Sequence, residues 1–161
     1  MTDTQAGPPE EIRAALGAHT TLTLAYADED GPQACALLYA VRDGLVPVLL
    51  FVTSPTTRHG RALAAGAGAA RVAFTVQRDG QEWTELTGIQ GRGVCRPLEG
   101  EERAAAWPAY GARFPYVERN EQLRIALERT ALWELRPDWL RLIDNARGFA
   151  HKVEWSRVGS G

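Results

Sequence analysis

Lysine is almost missing from this chain: among 18 cationic residues only Lys152 is not arginine, and 20 acidic residues bring the formal net charge to −2. No basic excess remains to meet a phosphate backbone, so the electrostatic footprint of a nucleic-acid binder is absent. A polybasic patch for anionic lipid is absent too. No apolar run approaches the length that crosses a bilayer, and the acidic, polar start "MTDTQAGPPEE" is neither a signal nor a transit peptide. These absences predict a cytoplasmic protein that contacts neither nucleic acid nor membrane. Cysteine is limited to Cys35 and Cys95, far apart in apolar stretches. That excludes the spacing of a zinc site or a redox pair and predicts buried structural thiols. His19, His59 and His151 are scattered without nearby cysteine or clustered carboxylates, so no metal site is expected. No serine occupies a G-x-S-x-G elbow, and "GIQGRG" lacks the context of a dinucleotide fingerprint. No catalytic acid, base or nucleophile stands out.

What is present is β-rich. The 161 residues, 45% hydrophobic and 24% charged, suit one domain with a sizeable core. Residues 1–8 read as a loose tail. A short helix is predicted from Pro9, with Glu10 and Glu11 in its first turn and Ile12 and Leu16 as its buried stripe. Alternation and turn residues predict a meander of strands at 20–27, 33–41 and 45–53, with Pro47 marking an edge or irregular start. An alanine-rich helix over 57–67 ends at Gly66 and Gly68. Strands follow at 71–77 and 83–97, the second rich in glycine and so prone to bulges. Helices are predicted at 99–107, broken by Pro108, and at 118–129. Residues 130–145 read as a strand pair or one strand bent at Pro137, and the tail to Trp155 as a further short strand. The fold class is therefore mainly β with short helices: about six antiparallel strands in a closed or nearly closed barrel. Alternating βαβ units, and with them a doubly wound nucleotide fold, are excluded.

The segment "FVTSPTTRHGRALAAG" draws the functional interest. Thr53, Ser54 and Thr57 supply hydroxyls between a strand and a helix, and Arg58 and His59 follow at once. A guanidinium offers a phosphate two charge-assisted hydrogen bonds, and His59 adds a donor whose charge depends on pH. A helix-capping threonine followed by exposed basic residues explains the same pattern, and both readings stand on chemistry alone. Trp83 and Trp155 are core or interface material, or edge a ligand.

The order of "FVTSPTTRH", "GIQGRGVCRPLEGEE", "YGARFP" and "LWELRPDWLRLIDNARGFAHKVEW" resembles the pyridoxamine 5'-phosphate oxidase-like, FMN-binding split barrels, in particular the YhbP-like branch. The resemblance is good over residues 45 to 155 and looser before. It implies a six-stranded antiparallel split barrel, a homodimer, and FMN in grooves between subunits. Thr57 and Arg58 would hold the phosphate, with His59 where many relatives have lysine. Thr53 and Ser54 would lie near phosphate and ring, and Gly88 and Gln90 along the groove. The implied function is an FMN-dependent oxidoreductase of unknown substrate; the alternative is a non-catalytic flavin- or haem-binding protein on the same scaffold. Two departures stand out. The second strand, "QACALLYA", lacks the arginine that many relatives use on phosphate, and the C-terminal part lacks the Arg-x-His pair of true pyridoxamine phosphate oxidases. Arg147, His151 and Lys152 are candidates to line the groove from the partner chain.

Overall fold

In the computed structural model, which describes residues 6–158, one antiparallel sheet closes on itself. The elements in chain order are α1 (Glu10–Ala18), β1 (Thr21–Asp28), β2 (Gly31–Arg42), β3 (Val48–Thr53), α2 (Arg58–Ala64), β4 (Ala70–Gln77) and β5 (Thr87–Leu98). There follow α3 (Gly100–Arg113), α4 (Tyr116–Arg119), α5 (Glu121–Glu128), β6 (Ala131–Asp144) and β7 (Lys152–Ser156). The strand order is β3-β2-β1-β4-β5-β6-β7, and an additional β3–β6 pairing closes β1 to β6 into a six-stranded barrel.

β6 has two partners on one flank. Ala131 to Leu135 pair with β3, whereas Trp139 to Ile143 pair with β7. Pro137 sits between these halves, opposite Gly93, where the register with β5 shifts. Proline lacks the N–H that a ladder needs, so a bulge is where a strand tolerates it. Gly93 is required there, since a Cβ would stand 2.3 Å from the Arg136 carbonyl oxygen. Residues 131–144 are thus one bent strand, not a pair.

Side-chain alternation fills the barrel. Leu22 and Leu24, Leu49 and Phe51, Phe74 and Val76, Ile89, Trp133, Leu135, Leu140 and Leu142 point inward and are buried. Gly91 leaves room for the Phe74 ring opposite it, which an added Cβ would meet at 2.2 Å. Ile12 and Leu16 of α1 and Leu63 of α2 join the same core. β3, "VLLFVT", is buried on both faces, because its outer residues Val48 and Leu50 pack under Ala106, Tyr110 and Phe114 of the α3 segment.

Four elements differ from the expectation. α3 continues through Pro108 to Arg113: the lost N–H costs one helical bond, and burial of Ala106 and Tyr110 on either side holds the helix. β3 starts at Val48, after Pro47, and Leu45 is exposed. β5 starts at Thr87 because residues 81–86 are tied into a turn. There Asn145 Nδ2 donates to the Trp83 carbonyl at 2.7 Å, and Gln81 Oε1 accepts from the Thr87 N–H at 2.9 Å. The helical stretch expected at 118–129 divides at Asn120, whose side chain caps α5 by accepting from the Leu123 N–H at 3.0 Å. Of the tail, residues 1–5 lie outside the described residues, and Ala6 accepts a hydrogen bond from Trp155 Nε1 at 3.0 Å. Trp155 is a core residue, while Trp83 is 76% exposed.

Candidate functional site

The sequence TSPTTRHG turns the chain from β3 into α2 through hydroxyl chemistry. Thr57 is the N-cap: its N–H and hydroxyl both donate to the Ser54 carbonyl, at 3.2 and 2.8 Å, and its Oγ1 accepts from the Gly60 N–H at 3.0 Å. Ser54 Oγ lies 2.8 Å from Thr56 Oγ1 and accepts from the Thr56 N–H at 3.2 Å. Gly60 permits this tight turn, since a Cβ there would stand 2.2 Å from the Ser54 carbonyl oxygen. Nothing local in the sequence marks that glycine, because its neighbour in space is a carbonyl six residues upstream.

Thr53 is buried at the end of β3. Its Oγ1 lies 2.5 Å from His59 Nε2 and 3.2 Å from Thr57 Oγ1. Thr57 commits its proton to Ser54, so Thr53 either donates to Thr57 and accepts from the imidazole, or donates to the imidazole. Burial lowers the His59 pKa below its ordinary value, which favours the neutral ring. The Tyr26 ring, 6.4 Å away, is tilted against it.

Arg58 points to the β1–β2 hairpin. Its Nε donates to Asp28 Oδ2 at 2.7 Å, and its Nη2 to Asp30 Oδ2 at 2.5 Å and Asp28 Oδ1 at 3.3 Å. The guanidinium bonds hold the Asp28 carboxyl below its usual pKa, and the carboxylates in turn raise that of Arg58. Beside this pair is a hollow of about 460 Å³ with Glu29 and Arg61 on its wall. Nothing local in the sequence announced the two aspartates, which lie some thirty residues upstream.

The side chains of Thr53, Thr57 and His59 therefore come together, while Ser54 and Arg58 of the same turn face Thr56 and the β1–β2 hairpin. Gly88 and Gln90 are elsewhere in the same chain. They share the outer face of β5, Gly88 opposite Gln77 and Ile143, Gln90 opposite Thr75 and Arg141. Thr53 pairs with Ala131, and along β6 the partners of Gln90 and Gly88, Arg141 and Ile143, lie ten and twelve positions further on. Gln90 opens on a hollow of about 490 Å³ with Thr23, Thr75, Arg92 and Trp139 around it. Trp139 is covered by the guanidinium groups of Arg92 and Arg141, at 4.7 and 5.1 Å from its ring. Arg147 is engaged with Glu11 and Asp144, Lys152 is exposed on β7, and His151 Nε2 is buried without a hydrogen-bond partner.

A second polar centre escaped the sequence. Glu134, fully buried on β6, accepts from Arg96 Nε and Arg136 Nε at 2.7 Å and from Arg42 Nη2 at 3.1 Å. Arg96 also bonds Glu102 of α3. Only the closed barrel brings these residues together. Of the cysteines, Cys95 is fully buried with its thiol pushed up to about 12, whereas Cys35 is only partly buried. Among the described residues no cluster of His, Cys, Asp and Glu could hold a metal ion.

No family model matches the chain. Curated relatives do. It is 34% identical over 128 residues to the UPF0306 protein YhbP of Salmonella schwarzengrund, spanning 80% of each. With the UPF0306 protein YhbP of Escherichia coli O157:H7 it shares 35% over 133 residues, 83% of this chain and 82% of that one. Solved structures are similar in fold at lower identity. A haem-binding protein of Mycobacterium smegmatis matches at TM-score 0.65 and 24% identity, over 91% of this chain and 57% of that one. A pyridoxinephosphate oxidase family protein of Clostridium acetobutylicum, related to general stress protein 26, gives 0.63 and 15% over 91% and 92%. A FAD-binding protein of Mesorhizobium loti gives 0.63 and 17% over 83% and 91%. The closed sheet, the bend in β6 and these neighbours define a split barrel of the pyridoxamine phosphate oxidase type. Within that class, the chain belongs to the UPF0306 family, whose relatives here are the YhbP proteins.

Proposed function

We propose that the protein holds FMN in a groove between two copies of the chain and works as a cytoplasmic, single-domain, FMN-dependent oxidoreductase. The observation that carries this reading is the gathering of Thr53, Ser54, Thr57, Arg58 and His59 at the β3–α2 junction. The residues there fit a phosphate in part. Arg58 engages its aspartates through Nε and Nη2, which leaves Nη1 as a donor, and the Ser54 and Thr56 hydroxyls lie toward solvent. Asp28 and Asp30 oppose an anion there and limit its affinity.

In this reading Gln90 and Gly88, whose β6 partners Arg141 and Ile143 lie ten and twelve positions from Ala131, line the groove of the other chain. That separation supports the homodimer. Bound FMN supplies the hydride or electron transfer; the protein supplies orientation, hydrogen bonds and exclusion of water. This division of labour accounts for why no catalytic acid or base stands out in the sequence. Among the described residues no helix is long and apolar enough to cross a membrane.

The test is the absorption spectrum of the purified protein, followed by an FMN titration read by flavin fluorescence. Quenching near one FMN per chain supports the groove. A colourless protein that leaves flavin fluorescence unchanged refutes it. One observation favours a second reading, a non-catalytic flavin or haem carrier: burial keeps His59 neutral, the form that binds iron. A Soret band lost in His59→Ala or His151→Ala would establish haem in place of flavin.

A further inference from the structure

At the other end of the barrel, where Thr87 pairs with Asp144, a hollow of about 780 Å³ opens between the end of α1 and the β4–β5 turn. His19, Thr20 and Thr21 line one side, and Gln77, Arg78 and Thr87 the other. The turn satisfies its own backbone: Gln81 Nε2 donates to the Arg78 carbonyl at 3.1 Å, and Gln81 Oε1 takes the Thr87 N–H. The side chains are left for something else. Among the described residues Arg78 pairs with no carboxylate, in contrast to Arg58, Arg71 and Arg141.

Two features oppose an anion here, the end of α1, where three carbonyls are engaged, and the Asp79 carboxylate, whose charge remains and limits the affinity. The C-terminal end of a helix carries partial negative charge. In α1 the Leu16 carbonyl accepts from the Tyr39 hydroxyl at 2.5 Å, and the carbonyls of Gly17 and of His19, just past the helix, both accept from Arg113 Nη2 at 3.1 Å. Asp79, also on the wall, has Oδ1 bonded by the Gly80 N–H at 2.8 Å. The charge of Arg78 is felt inside: after burial, it is the second cause that lowers the His19 pKa.

We propose that this hollow binds a small ligand bearing a carboxylate or phosphate group, with the Arg78 guanidinium and the hydroxyls of Thr20, Thr21 and Thr87 as donors. The site shares no residue with the β3–α2 junction, and its walls Gln77 and Thr87 flank Gly88 on β5. It is tested on the full chain, uniformly labelled with ¹⁵N. Inorganic phosphate and succinate are titrated separately against sodium chloride at matched ionic strength. The expected result is saturable movement of the Thr20, Thr21, Arg78 and Thr87 amides with one or both probes, assigning phosphate, carboxylate or both. Arg78→Ala, an exposed turn position whose loss leaves the core intact, weakens this binding at least tenfold, and Arg58→Ala leaves it unchanged. Movement no different from chloride, or saturation kept in Arg78→Ala, overturns the proposal. So does saturation lost in Arg58→Ala, which would move the anion to the other end of the barrel.

Discussion

At the scale of single residues, Arg58 is the most informative position. If Nη1 holds the FMN phosphate, Arg58→Ala weakens FMN binding at least tenfold, which is about 1.4 kcal/mol. The circular dichroism of that variant stays native, since Arg58 and Asp30 are exposed and only the Asp28 carboxylate, nearly buried, loses its partner. Asp28→Asn has the opposite sign: it removes a competing carboxylate, so FMN binds more tightly in the same titration. The Asp28–Arg58 pairing also has a pH sense. A carboxyl whose pKa is lowered in the folded state contributes stability above its unfolded pKa and loses it as pH falls through the folded value. The tie between the hairpin and α2 is therefore complete at neutral pH and weakens in acid. Carboxyl ¹³C NMR would show the Asp28 midpoint below its ordinary value in the native protein and returned upward in Arg58→Ala. Sequence chemistry could nominate Arg58 and the threonines because they are neighbours in the chain. Asp28, Asp30 and the Arg42–Arg96–Glu134–Arg136 group were invisible to it, because a charge pair across thirty or ninety residues leaves no local spacing.

At the scale of elements, Glu134 joins β2, β5 and β6, and through Arg96 it reaches α3. Replacing it with alanine leaves three guanidinium groups facing one another around a desolvated position. The expected loss is toward the lower end of the roughly 3–5 kcal/mol seen when a buried ion pair loses one partner, since the arginines are partly exposed. Urea denaturation measures it. In α3, Pro108→Ala restores a helical N–H and raises the denaturation midpoint, by less than the ~3 kcal/mol that proline costs inside a helix. Strand periods were legible where one face is buried, as in "RVAFTVQ" of β4. Boundaries were not legible where side chains far along the chain decide them. Asn145 and Gln81 set the start of β5, and burial under the barrel wall carries α3 past its proline.

At the scale of the whole molecule, the split of the nominated residues into two groups makes a prediction about assembly. Two variants, Arg58→Ala and Gln90→Ala, are each expected to bind FMN poorly. Unfolded together and refolded, they form mixed dimers with one intact groove and one doubly damaged one. Roughly a quarter of all grooves then regain wild-type affinity, as two-fold symmetry requires. No recovery would place both groups on one chain's groove or rule out sharing. The closing pairing of the barrel has a separate consequence, for the order of events during synthesis. Leu49 pairs with Leu135 and Thr53 with Ala131, so β3 waits for partners some eighty residues downstream. At roughly 5–20 residues per second on the ribosome, that interval is several seconds. Until it ends, the nascent chain carries an open meander whose β3 ladder has one free side, the surface on which neighbouring nascent chains would pair and which a holding chaperone would have to cover.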